Sequence, residues 1–458
     1  MKLVTHDCCA VALSVFVASL AAAGVFGCGL APAQGAGADI TEAGTMTRGG
    51  LAEGTRIIRV TSLADSGPGT LREAVTASGA RVVVFDIAGI IVLETDLRID
   101  QPYLTVAGQT APAPGILLRG AKMRISSHDV VIQHISMRPG RRDPVPDNAD
   151  GISIGPCDNC KMPAYGVRLE NLSVGWAIDE NIGLWGSALS GITLRNSLVA
   201  EALADAGHAK GEHSMGMLVG ADVQSVEVVG NLFASNMNRN PVLGPGTSAF
   251  VANNYIYNPG RAAMHMYRGP GIRASFIGNV IRQGPDTDKR MAALQWQGDF
   301  VENYPDAKIF ARDNHCCGGL VEGDGKTGTD AATFAATAPT ASPSWTVMPA
   351  IRVRDWVMRY AGARPAERNA VDVRVVASVD DNSGRIIDDP RDVGGYPEVP
   401  VVTHDAALPS DPFAMSGVEG KTRLETWLCL RHLEVGGAPT ADCPESHAEM
   451  RRALFPDG

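Results

Sequence analysis

From residue 81 to residue 315 the chain repeats one short theme, and this limits the folds open to it more than any total does. The runs VVVFDI, GIIVL, YLTVAG, ILLRGA, VVIQHISM, VRLENLSV, GITLRNSLVA, VEVVGNLFA, FVANNYIYN, ASFIGNVIR and KIFARDNH follow one another. Each is β-branched and bounded by Gly, Asn or Asp. Asparagine recurs at Asn171, Asn196, Asn231, Asn254, Asn279 and Asn314, at spacings of 25, 35, 23, 25 and 35. A period of about 24 broken by two insertions is the mark of a solenoid. Asparagine tolerates left-handed backbone angles at a tight bend, and its side chain can bond the backbone of the next coil. Stacked coils pair each strand in parallel with the one above, and apolar side chains fill a shared interior. A β-sandwich rarely carries so regular a single-residue marker. The expected fold is all-β: a single-stranded parallel β-helix with an N-terminal helical cap and a C-terminal tail containing short helices.

Composition agrees. The chain holds 51 glycines and 28 prolines with only 5% aromatics, which suits short strands and tight turns. A formal net charge of −10 speaks against a general nucleic-acid binder. It also means that an acidic partner must be met by local cations or a bound metal.

Residues 1–33 read as an export signal: Lys2, then the apolar CAVALSVFVASLAAAGVFG, then APA before Gln34. A membrane anchor is the alternative, and VFGC loosely resembles a lipoprotein site at Cys28. No later stretch is long and apolar enough to span a bilayer. A secreted or periplasmic monomer is expected. Residues 34–53 read as a flexible lead-in and 54–322 as the β-helix, with SGPGTLREAVTASG capping its open end. Residues 323–350 are a low-complexity Ala/Thr/Pro/Gly segment lying on the surface. Residues 351–458 form a tail packed on the β-helix, helical in TRLETWLCLRHLEV and ESHAEMRRALF. Beyond residue 33 six cysteines remain, an even number that favours disulfides in an oxidising compartment. Cys429–Cys443 is the first choice, since the segment between them is short. CDNC at 157–160 could be half a zinc site or a redox pair, but the partner CC at 316–317 has the wrong spacing for zinc.

Seven stretches in order carry a resemblance: SGPGTLREA, VFDIAGIIVL, GQTAPAPG, NADGISIG, WAIDEN, HAKGEHSMG and RNP. Together they resemble the pectate lyases of polysaccharide lyase family 1, and GARPAERNAVDVRVV is similar to bacterial members. The resemblance runs from about residue 54 to 395 and implies a right-handed β-helix. It also implies cleavage of α-1,4-linked polygalacturonate by β-elimination: a base removes the C5 proton of a uronate and the C4–O4 bond breaks. Neutralising the uronate carboxylate with Ca²⁺ and cations stabilises the developing enolate.

By resemblance, Asp150 and Asp179 match calcium ligands, oxygen donors gathered from two consecutive coils. Glu180 is a third candidate, although adjacent strand residues point to opposite faces. Taken alone, each is as readily a turn or surface carboxylate, Asp150 being simply the residue before Gly151. Lys210 matches a lysine that contacts a substrate carboxylate, and Arg239 the arginine that takes the C5 proton. Ca²⁺ and Lys210 beside Arg239 would disfavour its charged form, and Pro241 would hold the local backbone. His213 reads as a packing or hydrogen-bonding histidine. The sequence departs from the family at two places. Related enzymes often carry a second arginine where VLGPG stands at 242–246, a role for which Arg268 is a candidate. Asn148 stands where relatives can show an acid. A lyase for pectin or another uronan and a non-catalytic polysaccharide-binding β-helix therefore stay open. A hydrolase does not fit, because the Asp380–Asp381 and Asp388–Asp389 pairs lie in the tail.

Overall fold

The computed structural model describes residues 40–146, 148–156, 163–296, 306–317, 319–321, 335, 337–440, 443 and 447–454. Residues 1–33 with Cys28, the Cys157/Cys160 pair and much of 323–350 lie outside them. The described residues belong to one compact unit, Ala38–Gly458.

Three parallel sheets wrap one right-handed helix of coils. In each coil a strand of the first sheet, such as Ala164–Glu170, turns into a short strand of the second, Ser173–Gly175. A wider turn then leads to a strand of the third, Glu180–Leu184. The next coil starts at Leu189–Arg195, directly above Ala164–Glu170. Register holds like residues in line: Val167 pairs with Ile192, then Val226, then Ala249. In the second sheet Val174, Val199, Phe233 and Ile256 stack likewise. These columns fill the interior, with Val167, Val199 and Phe233 fully buried. Burial of such strands on both faces is what makes their sequences near-continuous apolar runs.

The asparagine marker divides between two adjacent positions. Asn171 and Asn196 take the left-handed angle itself (φ 50° and 48°), whereas Gly230, Asn253, Gly278 and Asp313 hold that place in later coils. Asn231, Asn254, Asn279 and Asn314 sit one residue further on and form a buried ladder. Nδ2 of Asn231 donates to Oδ1 of Asn254 at 2.9 Å, and Asn254 to Asn279 at 3.0 Å. Each Oδ1 also accepts a backbone N–H from the coil before, as Asn279 does from Asn254 at 3.1 Å. Asn171 makes both the bend and the inter-coil bond, donating Nδ2 to the carbonyl of Asn196 at 3.2 Å, whereas in the later coils the bend and the ladder are made by neighbours.

The ends are closed. Helix α1 (Leu71–Thr76), capped by Thr70, buries Leu71, Ala74 and Val75 on the first coil. Arg81, fully buried, donates to the carbonyls of Ala74 and Val75 at its C-terminal end, and burial pushes its guanidinium down to about 10. Residues 40–53, read from sequence as flexible, are a strap across the first sheet: Thr41–Glu42 pairs with Thr340–Ala341, and Ala43 is buried. Helices α2 (Ala350–Tyr360) and α3 (Ala370–Asp381) cover the outer face of the second sheet. There Val353, Val357 and Val375 meet Leu198, Leu232 and Tyr257. Helix α4 (Arg423–Glu434) lays Leu424 and Trp427 on Val82 and Val84 of the first sheet, with α5 (His447–Leu454) behind it. Cys429 and Cys443 are bonded and tie α4 to the segment before α5. Among the described residues no helix is long and apolar enough to cross a membrane.

Candidate active site

The third sheet presents small residues outwards, Ser153 and Gly183 among them, on adjacent strands. Into this face project the acids expected to matter. Asp150 closes the turn before strand Ile152–Ile154, and Asp179 the turn before Glu180–Leu184 one coil later. Because Asp179 precedes its strand, strand alternation does not separate it from Glu180. Asp150, Asp179 and Glu180 are all buried and each brings a carboxylate oxygen within 4.8 Å of the others. Gly183 makes the room: a Cβ there would lie 3.0 Å from Oδ2 of Asp150.

Crowded acids push each other apart in affinity for protons. Burial, and then repulsion by Asp179, takes Asp150 up to about 7 against the pull of Lys122 and Arg239. Burial alone would also raise Asp179. The hydrogen bond from His213 and the charges of His208, His213 and Arg239 outweigh it and hold that carboxyl below its usual range. Oxygen-only, buried and under-neutralised, the three acids fit a hard divalent cation such as Ca²⁺.

Arg239 reaches the cluster from two coils on. Its guanidinium pairs with Glu180 and lies over the Tyr267 ring, 5.8 Å from the centroid. Its backbone adopts φ 60°, the left-handed region that a long side chain seldom visits. Such an angle is kept only where surroundings impose it. Here the carbonyl of Arg239 is held by Met217 N–H and its own N–H by Asn238. His265 lies alongside, driven down to about 3 by burial and then by the Arg239 charge, so it stays neutral.

The other candidates are looser. Lys210 is exposed on the loop between the Asp179 and Arg239 coils, with its backbone N–H on Nδ1 of His208. Arg268 is exposed next to Tyr267, one coil beyond Arg239. Two contributors, His208 and Lys122, escaped the sequence. His208 and His213 both face Asp179, at 3.6 and 3.3 Å, so His213 bonds to an acid of the cluster itself. Lys122 donates to the carbonyl of Asn148 at 2.7 Å and brings a cation towards Asp150. A cavity of about 60 Å³ between Lys122, Asn148 and Asp150 opens beside the cluster. Only the HAKGEHSMG run hinted at the histidines; nothing local pointed to Lys122.

No protein-family model matches the chain. Curated relatives do. A protein named probable pectate lyase C from Neosartorya fischeri is 30% identical over 347 residues, covering 73% of this chain and 76% of that one. One of the same name from Aspergillus flavus is 29% identical over 378 residues, covering 79% and 83%. The solved structure of a Bacillus subtilis pectate lyase variant has a TM-score of 0.50 at 12% identity, covering 71% of this chain and 97% of that one. That last likeness is one of fold. Fold and relatives define a polysaccharide lyase built on a parallel β-helix. Within that class, the chain belongs to the pectate lyase family.

Proposed function

We propose that this chain is a secreted pectate lyase that cleaves α-1,4-linked polygalacturonate by Ca²⁺-assisted β-elimination, with Arg239 as the base. The observation that carries the reading is the contact of Arg239 with an oxygen-only cluster of three buried carboxylates. Asp150, Asp179 and Glu180 would hold the ion. When bound, Ca²⁺ supplies the positive charge that makes a C5 proton beside a carboxylate removable. Lys210, and Arg268 in place of the arginine missing at 242–246, would grip uronate carboxylates along the same face.

Tyr267 and the left-handed backbone keep the Arg239 side chain beside the cluster, where a cation held by the carboxylates would compete with the guanidinium for Glu180. Arg239, once its own extra proton has passed to solvent, takes the C5 proton as a neutral guanidine and becomes guanidinium, the C5–H electrons form the C4=C5 double bond, and the C4–O4 pair leaves on oxygen. Fixed orientation is what such a transfer needs. The export reading of residues 1–33 supports secretion, and the name of the relatives supports the substrate. The test is Arg239→Ala. Removing a general base costs about 10²–10⁴-fold in kcat, so activity on polygalacturonate should fall by that much with Ca²⁺ binding kept. Activity within a few-fold of wild type would refute the role of Arg239.

A further inference from the structure

We infer that His208 and His213 are positioning residues that staple the loop carrying Lys210 to the Asp179 carboxylate, so that one acid sets both the metal site and the substrate-facing cation. The inference rests on the reading of Asp179 as a metal ligand given above.

The two rings stack at 3.7 Å between centroids, and each addresses a different oxygen of Asp179. Their second nitrogens decide what they are doing. Nδ1 of His208 accepts the Lys210 backbone N–H at 3.0 Å, so the ring hydrogen sits on Nε2 and faces Asp179. Nδ1 of His213 lies 3.1 Å from the carbonyl of Gly211 and must carry a hydrogen to bond it. The ligand atoms of Asp179, His208 and His213 do gather within 4.8 Å. Yet His208 could offer a metal its Nε2 lone pair only by giving up Lys210. His208 is thus placed as a donor orienting the carboxylate, the outer shell that a ligating acid requires, and the His213 ring spans from the same carboxylate to the Gly211 carbonyl.

Apart from these contacts the loop is held by backbone bonds and by an exposed pair of Glu212 with Arg261. Residues 209–212 are exposed, so apolar burial does not fix the Lys210 turn. Backbone bonds from His213 to Ala204 and from Ser214 to Leu203 close only its base. At the tip, His208 grips Lys210 and His213 grips Gly211, and both rings return to Asp179.

Two substitutions separate the two contacts. Asparagine in His208→Asn places an acceptor where Nδ1 was, keeping Lys210 but falling short of Asp179. Glutamine in His208→Gln places an N–H where Nε2 was, keeping Asp179 but losing Lys210. Ca²⁺ alone is titrated calorimetrically into wild type and both variants, and KM and kcat are then measured on polygalacturonate at saturating Ca²⁺. His208→Asn should bind Ca²⁺ about 10–100-fold more weakly. His208→Gln should bind it as wild type does, yet raise KM more than it lowers kcat. Thermal melts check folding, and His208→Gln, which retains the Asp179 contact, carries the test if His208→Asn does not fold. Unchanged Ca²⁺ affinity and KM, with only a lowered melting temperature, would overturn the inference. A wild-type chain that binds no Ca²⁺ would overturn the metal-ligand reading itself, and this inference with it.

Discussion

The guanidinium of Arg239 is paired with the carboxylate of Glu180, two coils earlier, and the same carboxylate faces Asp150 and Asp179. Parallel stacking brings these residues together: Asp150, then Asp179 and Glu180 on the next coil, then Arg239 two coils further on, come to one side of the third sheet. Arg239 and Lys122, with His208 and His213 at Asp179, share the neutralisation of these buried acids, and burial and crowding still leave Asp150 favouring its proton.

That strain predicts a trade of stability against function at Asp150. Its carboxyl is raised to about 7, so in the metal-free chain the folded state favours the protonated form. The stability this brings is present at low pH and lost as pH rises through about 7. Asp150→Asn should therefore raise the melting temperature of chelator-treated protein at pH 8 and remove the further rise that Ca²⁺ gives wild type. A melting temperature lowered by the substitution, with the Ca²⁺ response intact, would contradict this.

Glu170 should behave in the opposite way. Burial would push it up, but the charges of Arg195 and Arg168 outweigh that and hold the carboxyl well below its ordinary value of 4.5. Its oxygen accepts from Arg195 Nε at 2.6 Å on the outer face of the first sheet. A depressed carboxyl stabilises above its unfolded value, and the contribution is lost as pH falls below about 4.5. Breaking a buried pair costs about 3–5 kcal/mol, so Glu170→Gln should cost that much at pH 7 and less at pH 4. Denaturant melts at the two values check it.

The ladder offers a test of what holds the coils. Asn254 donates to Val228 O and to Asn279, and accepts from Asn231, all in the buried corner. Asn254→Ala strands several of these partners, at about 1–3 kcal/mol each. We expect a loss of about 3 kcal/mol or more in denaturant melts.

Much of this corner was legible in the sequence because asparagine marks it once per coil. The register was not, because from Asn196 to Asn231 the marker passes from the bend to the position after it. Helices α4 and α5 were legible in apolar spacing. Helix α3 was not: AVDVRVVASVDD is rich in β-branched residues, and it is helical because Asn369 caps it and Val371, Val375 and Val379 share one buried face. Those valines stand at i, i+4 and i+8, a signal that was present. The grouping of Asp150, Asp179, Glu180 and Arg239 was anticipated through the family resemblance that short motifs carry. Lys122 and His208 act through partners on other coils, which no local pattern reveals.

The Cys429–Cys443 bridge, expected from spacing and present in the fold, should matter to stability and not to chemistry. Closing a loop of this size is worth about 3 kcal/mol. Cys429→Ser with Cys443→Ser should lower stability by about that amount and leave kcat on polygalacturonate unchanged at a temperature where the variant is folded. Loss of activity in the folded variant would show that α4 reaches the site.

The most direct test of the account is ultraviolet absorbance of unsaturated product from polygalacturonate, followed with added Ca²⁺ and again with a chelator. The account predicts absorbance that rises with Ca²⁺, stops with the chelator and returns when Ca²⁺ is restored. Absorbance indifferent to the chelator would contradict the metal role of Asp150, Asp179 and Glu180, and no absorbance on polygalacturonate would contradict the elimination assigned to Arg239.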